Sequence, residues 1–191
     1  MAREKKWQMG KAVFLDRDGT IARDAHYCRR PEDFEIFPST PRAVRLLNES
    51  GFKVVVITNQ SGLARGYFNE NDMARIHTKM EKEIGRQGGR VDAVYFCPHH
   101  PDDGCECRKP RTALFLQAAR ELGIDLTRSF MVGDTQVDMD AGRRAGCRTV
   151  LANTRPEPAI IGGADYVAGD LFAAATWIMS QHESIGELNR S

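Results

Sequence analysis

The stretch FKVVVIT at residues 52–58 constrains the fold more than any other part of the chain. Five of its seven residues are β-branched, and they run on without polar alternation, the pattern of a strand covered on both faces. KAVFLD at 11–16 reads the same way, and VDAVYF at 91–96, RSFMV at 128–132 and RTVL at 148–151 are shorter candidates. Helical patterns fill the intervals. Ser39 and Pro41 suit the start of a helix that turns Val44 and Leu47 inward and stops at Gly51. Met73, Ile76, Met80 and Ile84 recur at helical spacing, as do Phe115, Ala118 and Leu122 ahead of Gly123. A further helix lies between Gly133 and Gly146, and a last one runs from about Asp170 to Met179. This alternation predicts an α/β chain: a Rossmann-like parallel sheet with right-handed crossovers and helices on both faces. Such sheets bind ligands at the carboxyl ends of their strands.

The 191 residues are expected to form a single domain, residues 1–191, with a polar tail that frays from about 181 to 191. A chain of this size buries about 70% of the surface its unfolded form exposes, so it needs no disulfide staples. The 27 Lys and Arg residues nearly cancel 26 Asp and Glu, which leaves no bulk field to attract nucleic acid or an anionic membrane. No apolar run is long enough for a bilayer, and no signal-like segment follows Met1. A cytoplasmic monomer acting on a small molecule, with no nucleic-acid or membrane partner, is the expectation.

The strand ends carry the chemistry. Asp16-Arg17-Asp18-Gly19-Thr20 sets two carboxylates two residues apart where the backbone turns. One carboxylate suits attack on an electrophile or a hard cation, and the other suits proton transfer to a leaving group. Attack on a phosphate dianion needs positive charge nearby: Mg²⁺ on oxygen ligands and a lysine. Thr58, Asn59, Gln60 and Ser61 close the second strand with a hydroxyl and a turn whose amides can cradle phosphate. Lys109 stands at a helix start in Arg108-Lys109-Pro110-Arg111. Asp134 suits a metal ligand, and Asp138 suits a supporting role beside it or its water. A single aspartate at a strand end is ordinarily a cap or a solvated turn residue. Three such strand ends converging in one sheet are not ordinary.

Cysteine usage adds a second site. Cys97, Cys105 and Cys107 fall within eleven residues together with His99 and His100. Three thiols and an imidazole match a closed structural Zn²⁺ site in a loop over residues 97–107, with Cys97, His99, Cys105 and Cys107 as ligands and His100 as the substitute. Cys147 suits a core position, and Cys28 lies in a polar loop without a partner nearby in sequence.

DxDGT at 16–20, Thr58 after an apolar strand, Lys109, and GDxxxD at 133–138 together resemble the motifs of the haloacid dehalogenase-like phosphatases, over residues 11 to about 170. The resemblance implies Asp16 as the nucleophile, forming an aspartyl-phosphate, and Asp18 as general acid and base. It implies that Thr58 and Lys109 hold the phosphoryl group, and that Mg²⁺ is bound by Asp16, the backbone carbonyl of Asp18, and Asp134. The usual cap insertions are short here, so no cap domain is expected and loops set specificity. FLDRDGT, TNQSGxARG at 58–66 and CPHHP…CxCRKP are similar to the group that hydrolyses D-glycero-D-manno-heptose 1,7-bisphosphate at its 7-phosphate, feeding lipopolysaccharide biosynthesis, and to the related histidinol-phosphate phosphatases. The heptose bisphosphate is the preferred reading, because Arg65, Arg108 and Arg111 are available for a second phosphate. Arg108 and the loop carrying Asp24, His26 and Tyr27 are the implied substrate contacts. A zinc-stabilised module that binds phospho-ligands without turnover is the alternative of another class, and it has no use for the second aspartate.

Overall fold

The computed structural model describes residues 9–154 and 161–188. Six parallel strands, β1 (Lys11–Leu15), β2 (Phe52–Asn59), β3 (Ala93–Cys97), β4 (Phe130–Gly133), β5 (Arg148–Ala152) and β6 (Tyr166–Ala168), form one sheet in the order β3-β2-β1-β4-β5-β6. The helices are α1 (Thr40–Glu49), α2 (Glu70–Gly85), α3 (Ala113–Leu122), α4 (Gln136–Ala145) and α5 (Leu171–Leu188).

The two faces explain the unbroken apolar strands. Side chains alternate across a strand, so Val13, Leu15, Val54 and Val56 enter one core with α1, α2 and α5, through Val44, Leu47, Ile76, Met80, Ala174 and Ile178. Ala12, Phe14, Val55 and Ile57 enter the other with α3 and α4, through Leu114, Phe115, Ala118 and Ala141. All eight of these strand residues are fully buried. Burial of an aliphatic side chain of this size contributes about 1.5–3 kcal/mol, which is why β1 and β2 lie inside the sheet, each paired on both sides.

Several boundaries differ from the sequence reading. The fourth strand starts at Phe130, because Leu126–Arg128 forms a 3₁₀ turn capped by Asp125, whose carboxylate accepts from the Thr127 amide. The third strand spans Ala93–Cys97 rather than 91–96. A sixth strand, β6, was not expected; it has three residues, and the two of them with exposed side chains, Tyr166 and Val167, give no buried-strand signal. Ser39 makes no capping bond to α1; Thr40 enters the helix instead, and its hydroxyl donates to the Ile21 carbonyl. The last helix does not stop near residue 179 but continues to Leu188. Ser180 to Leu188 contains no proline, and Arg148 donates to the Gln181 side chain at 3.1 Å, tying the start of the tail to β5. Residues 189–191 of the expected tail lie outside the described residues. Cys147 is a core residue as expected, whereas Cys28 is also buried, with its thiol donating to the Arg30 carbonyl.

Candidate active site

In this strand order the connections diverge between β1 and β4, and a crevice opens there at the carboxyl ends of the strands. Asp16 follows β1 directly, its amide donating to the Val132 carbonyl of β4, and Asp134 follows β4. The two aspartates therefore flank the crevice. Gly19 turns the chain with φ +86°, and a Cβ at that position would sit 2.3 Å from Asp134 Oδ2. Only glycine lets the turn lie against that carboxylate.

Lys109 arrives from the loop after β3. Its Nζ donates to Asp16 Oδ1 at 2.6 Å, to Asp138 Oδ1 at 2.7 Å and to the Ile57 carbonyl at 2.8 Å. Burial works against the charge on Lys109, but Asp138 and Asp16 outweigh it and hold the ammonium above its usual range. Burial pushes Asp16 up to about 8; Lys109 pulls it down, while Asp138 and Asp18 add to the rise. Asp138 is itself fixed. Its Oδ2 accepts from the Thr135 hydroxyl at 2.5 Å and from the Thr135 amide at 3.1 Å, and the latter bond, with the Asp138 amide donating to the Thr135 hydroxyl oxygen, makes the capping box of α4. A Cβ at Gly133 would lie 2.3 Å from the Asp138 Cβ, so the helix start can close onto β4 only over a glycine.

The end of β2 divides its tasks. The Asn59 amide pairs with the Lys109 backbone, donating to its carbonyl at 3.2 Å and accepting from its amide at 3.0 Å. Gln60 Nε2 donates to Asp18 Oδ2 and to Thr58 Oγ1, both at 2.8 Å. These side chains, expected to touch substrate, are thus committed to protein partners, although both line the cleft. The cleft, of about 360 Å³, is lined by Asp16, Asp18, Thr58, Ser61, Lys109 and Arg108, together with Asp24, His26 and Tyr27. The buried Nη1 of Arg108 has no hydrogen-bond partner among the described residues, so it is available to an anion in the cleft. His26 (φ 48°) and Tyr27 (φ 73°) are both left-handed. Asp24 Oδ1 accepts from the His26 amide, and the Tyr27 ring meets Tyr67 edge-on at 4.9 Å, which holds this unfavourable backbone in place.

Two arginines expected near a second phosphate are elsewhere. Arg111 turns back onto the cysteine loop, donating to the carbonyls of Gly104 and Cys105 and to Glu106. Arg65 is exposed and does not line the cleft. Residues that the sequence reading missed also matter: Val137 on the cleft rim, and Arg17 and His77 behind Asp18. An arginine between two strand-end aspartates was the available signal.

Two clusters suit cations. Oxygens of Asp16, Asp134 and Asp138 lie within 4.8 Å of one another. Three buried carboxylates facing one lysine are short of positive charge, and oxygen donors at this spacing suit Mg²⁺. The Asp18 carboxylate points away to Arg17 and Gln60, which leaves only its backbone for such a site. In the second cluster Cys97 Sγ is 3.5 Å from Cys105 Sγ and 3.2 Å from Cys107 Sγ, the latter two are 3.6 Å apart, and His99 Nδ1 lies 3.6 Å from Cys97 Sγ and 3.1 Å from Cys107 Sγ. Ligands about 2.3 Å from a tetrahedral zinc stand about 3.8 Å apart, so the cluster fits that ion with slight expansion. His100 lies outside the cluster, and its Nδ1 accepts from the Asp102 amide.

A family model described as "HAD-hyrolase-like" matches residues 106–171. The D-glycero-beta-D-manno-heptose-1,7-bisphosphate 7-phosphatase of Yersinia pestis is 39% identical over 176 residues, covering 88% of this chain and 89% of that protein. The probable D-glycero-D-manno-heptose-1,7-bisphosphate 7-phosphatase of Thermoplasma volcanium is 38% identical over 135 residues, 70% of this chain and 92% of that one. Among solved structures, the D,D-heptose 1,7-bisphosphate phosphatase of B. bronchiseptica, complexed with magnesium and phosphate, superposes with a TM-score of 0.80 at 35% identity, covering 91% of this chain and 99% of that chain. With its two-aspartate turn, buried lysine and GDxxxD helix start gathered at one sheet crevice, the chain belongs to the haloacid dehalogenase-like phosphatase family, in the group of the heptose-1,7-bisphosphate 7-phosphatases.

Proposed function

We propose that the chain removes the 7-phosphate of D-glycero-D-manno-heptose 1,7-bisphosphate, with Asp16 as nucleophile and Asp18 as general acid and base, and that residues 1–191 form one catalytic unit. The observation that carries this reading is Lys109 Nζ lying between Asp16 and Asp138 on the cleft floor: a buried nucleophile with the cation that phosphoryl transfer needs. An oxygen of Asp16 bonds to phosphorus as the bond from phosphorus to the sugar oxygen breaks, and the Asp18 carboxyl gives its proton to that oxygen. The Asp18 carboxylate then takes a proton from water as the water oxygen bonds to phosphorus. The bond from phosphorus to Asp16 breaks, which releases inorganic phosphate and restores both aspartates. Thr58, Ser61 and Lys109 bind the phosphoryl oxygens, Arg108 meets the second phosphate, and the loop of Asp24, His26 and Tyr27 faces the sugar. Mg²⁺ held by Asp16, Asp134 and the Asp18 carbonyl, with Asp138 in support, would neutralise phosphate charge. Zn²⁺ on Cys97, His99, Cys105 and Cys107 would stiffen the loop that delivers Arg108 and Lys109. Among the described residues no helix is long and apolar enough to cross a membrane.

The test is phosphate release by the purified chain with Mg²⁺, comparing heptose 1,7-bisphosphate with histidinol phosphate. The bisphosphate is expected to give the higher kcat/KM, and Asp16→Asn to reduce release to background. Preference for histidinol phosphate would overturn the substrate, and full activity in Asp16→Asn would overturn the nucleophile.

A further inference from the structure

Arg17 has the largest fully buried side chain among the described residues, and it stands between the two aspartates of the site. A buried guanidinium is costly to desolvate, and an apolar side chain would fill the same space at lower cost. Packing alone therefore does not account for it. Its contacts do. Nε and Nη2 grip the two oxygens of Asp18 as a fork, with Nε to Oδ1 at 3.2 Å and Nη2 to Oδ2 at 2.8 Å. Nη1 faces the other way, 3.4 Å from His77 Nε2 on α2, and the guanidinium lies 5.8 Å from the Phe34 ring centroid. Burial, then the Arg17 charge, hold His77 down to about 4, so its ring is a neutral acceptor for the arginine. Gln60 donates to the same Asp18 Oδ2 and joins it to the Thr58 hydroxyl through one amide nitrogen.

We infer that Arg17, with Gln60 as a second brace, is a positioning residue that sets the direction from which the Asp18 carboxyl meets the sugar oxygen and then the attacking water. The inference rests on the reading of Asp18 given above. The Asp18 side chain is 24% exposed on an open cleft, where an unbraced carboxyl would sample rotamers turned to solvent. Proton transfer needs a heavy-atom approach of about 2.6–3.2 Å, so such rotamers are unproductive. Lys109, which faces Asp16 and Asp138, takes no part in this brace.

The experiment separates leaving groups in the first turnover. p-Nitrophenolate leaves phosphorus without a proton, whereas the sugar alkoxide needs one. In Arg17→Lys and Gln60→Leu, alcohol release from the sugar bisphosphate is expected to slow by about tenfold or more, while the rapid first equivalent of p-nitrophenolate from p-nitrophenyl phosphate keeps its rate within about threefold. Arg17→Lys retains a cation for the fold but not the fork; Gln60→Leu leaves Arg17 untouched, so one variant that fails to fold still leaves the other. Thermal melts accompany both. Equal slowing of both leaving groups would mean a general structural defect and would overturn the inference, as would wild-type rates on both. Asp18→Asn is the control: rapid alcohol release by that variant would overturn the role of Asp18 itself, whatever the brace variants do.

Discussion

Replacing Lys109 by methionine removes the ammonium that bridges two buried carboxylates while keeping most of the side chain's length. The ammonium is lost from Asp16 at 2.6 Å, Asp138 at 2.7 Å and the Ile57 carbonyl at 2.8 Å. Oxygens of Asp16 and Asp138 lie within 4.8 Å, so with both ionised their repulsion is roughly 3 kcal/mol at an effective dielectric near 20. Loss of one partner from a buried ion pair costs about 3–5 kcal/mol, in agreement. The fold can relieve this by protonating Asp16, which already stands at about 8 with Lys109 present and rises further without it. The folded state then keeps a proton that the unfolded state, with its carboxyl near 3.8, has released. Stability of the variant is thus fullest at acid pH and falls as pH rises towards the folded value. In urea unfolding with chelator present, Lys109→Met is expected to be about 3 kcal/mol less stable than the parent at pH 8, and the deficit to widen above pH 8, where the folded parent releases the Asp16 proton and the folded variant keeps it. A variant as stable as the parent at pH 8, or a deficit that grows on acidification, would refute the account of the site's electrostatics.

Four further outcomes are expected. Gly19→Ala forces a Cβ into the space of Asp134 Oδ2, 2.3 Å away, so the carboxylate must move by most of an ångström, and kcat/KM at saturating Mg²⁺ should fall about 10²-fold; unchanged kinetics would dissociate Asp134 from the reaction. His77, held near 4 when folded against 6.5 when unfolded, leaves the unfolded state the better proton binder between those values, so stability should drop by about 3 kcal/mol as pH falls from 6.5 towards 4, and His77→Gln should flatten that slope in urea titrations. Chelation at neutral pH should release about one zinc per chain and expose residues 97–107 to protease while the far-ultraviolet circular dichroism of the sheet persists; a chain that never held zinc would contradict the ligand set. Asn59→Asp keeps shape but sets a carboxylate against the Lys109 carbonyl, and kcat should fall by about tenfold with loss of stability confined to about 1–3 kcal/mol.

Much of the fold was legible because its signals are local. The FKVVVIT run could only be a strand buried on both faces, and Val54 and Val56 do enter one core while Val55 and Ile57 enter the other. Three elements were not legible: β6 offers a single buried residue, the end of α5 has no apolar periodicity in sequence to mark it, and the Leu126–Arg128 turn runs into β4 without a break in the sequence pattern. At the site, Asp16, Asp18, Thr58 and Lys109 were marked by strand ends and spacing, and all of them line one cleft. The division of labour among neighbouring polar residues was not marked. Asn59 and Gln60 look alike in sequence, yet one holds the Lys109 backbone and the other braces Asp18.

The chain's residue order by itself determined that there would be a doubly covered parallel sheet, acidic turns at its carboxyl edge and a thiol-rich loop before Lys109. Strand burial, turn chemistry and ligand spacing act within a few residues, so they can be read along the chain. Tertiary structure decided which partners these groups would take. Lys109 meets Asp16 across 93 residues of sequence, Arg17 meets His77 across 60, and Arg111 turns back to the cysteine loop and not to the cleft. A charged side chain pairs with whatever packing brings within a few ångströms, and only the assembled sheet and helices fix that distance.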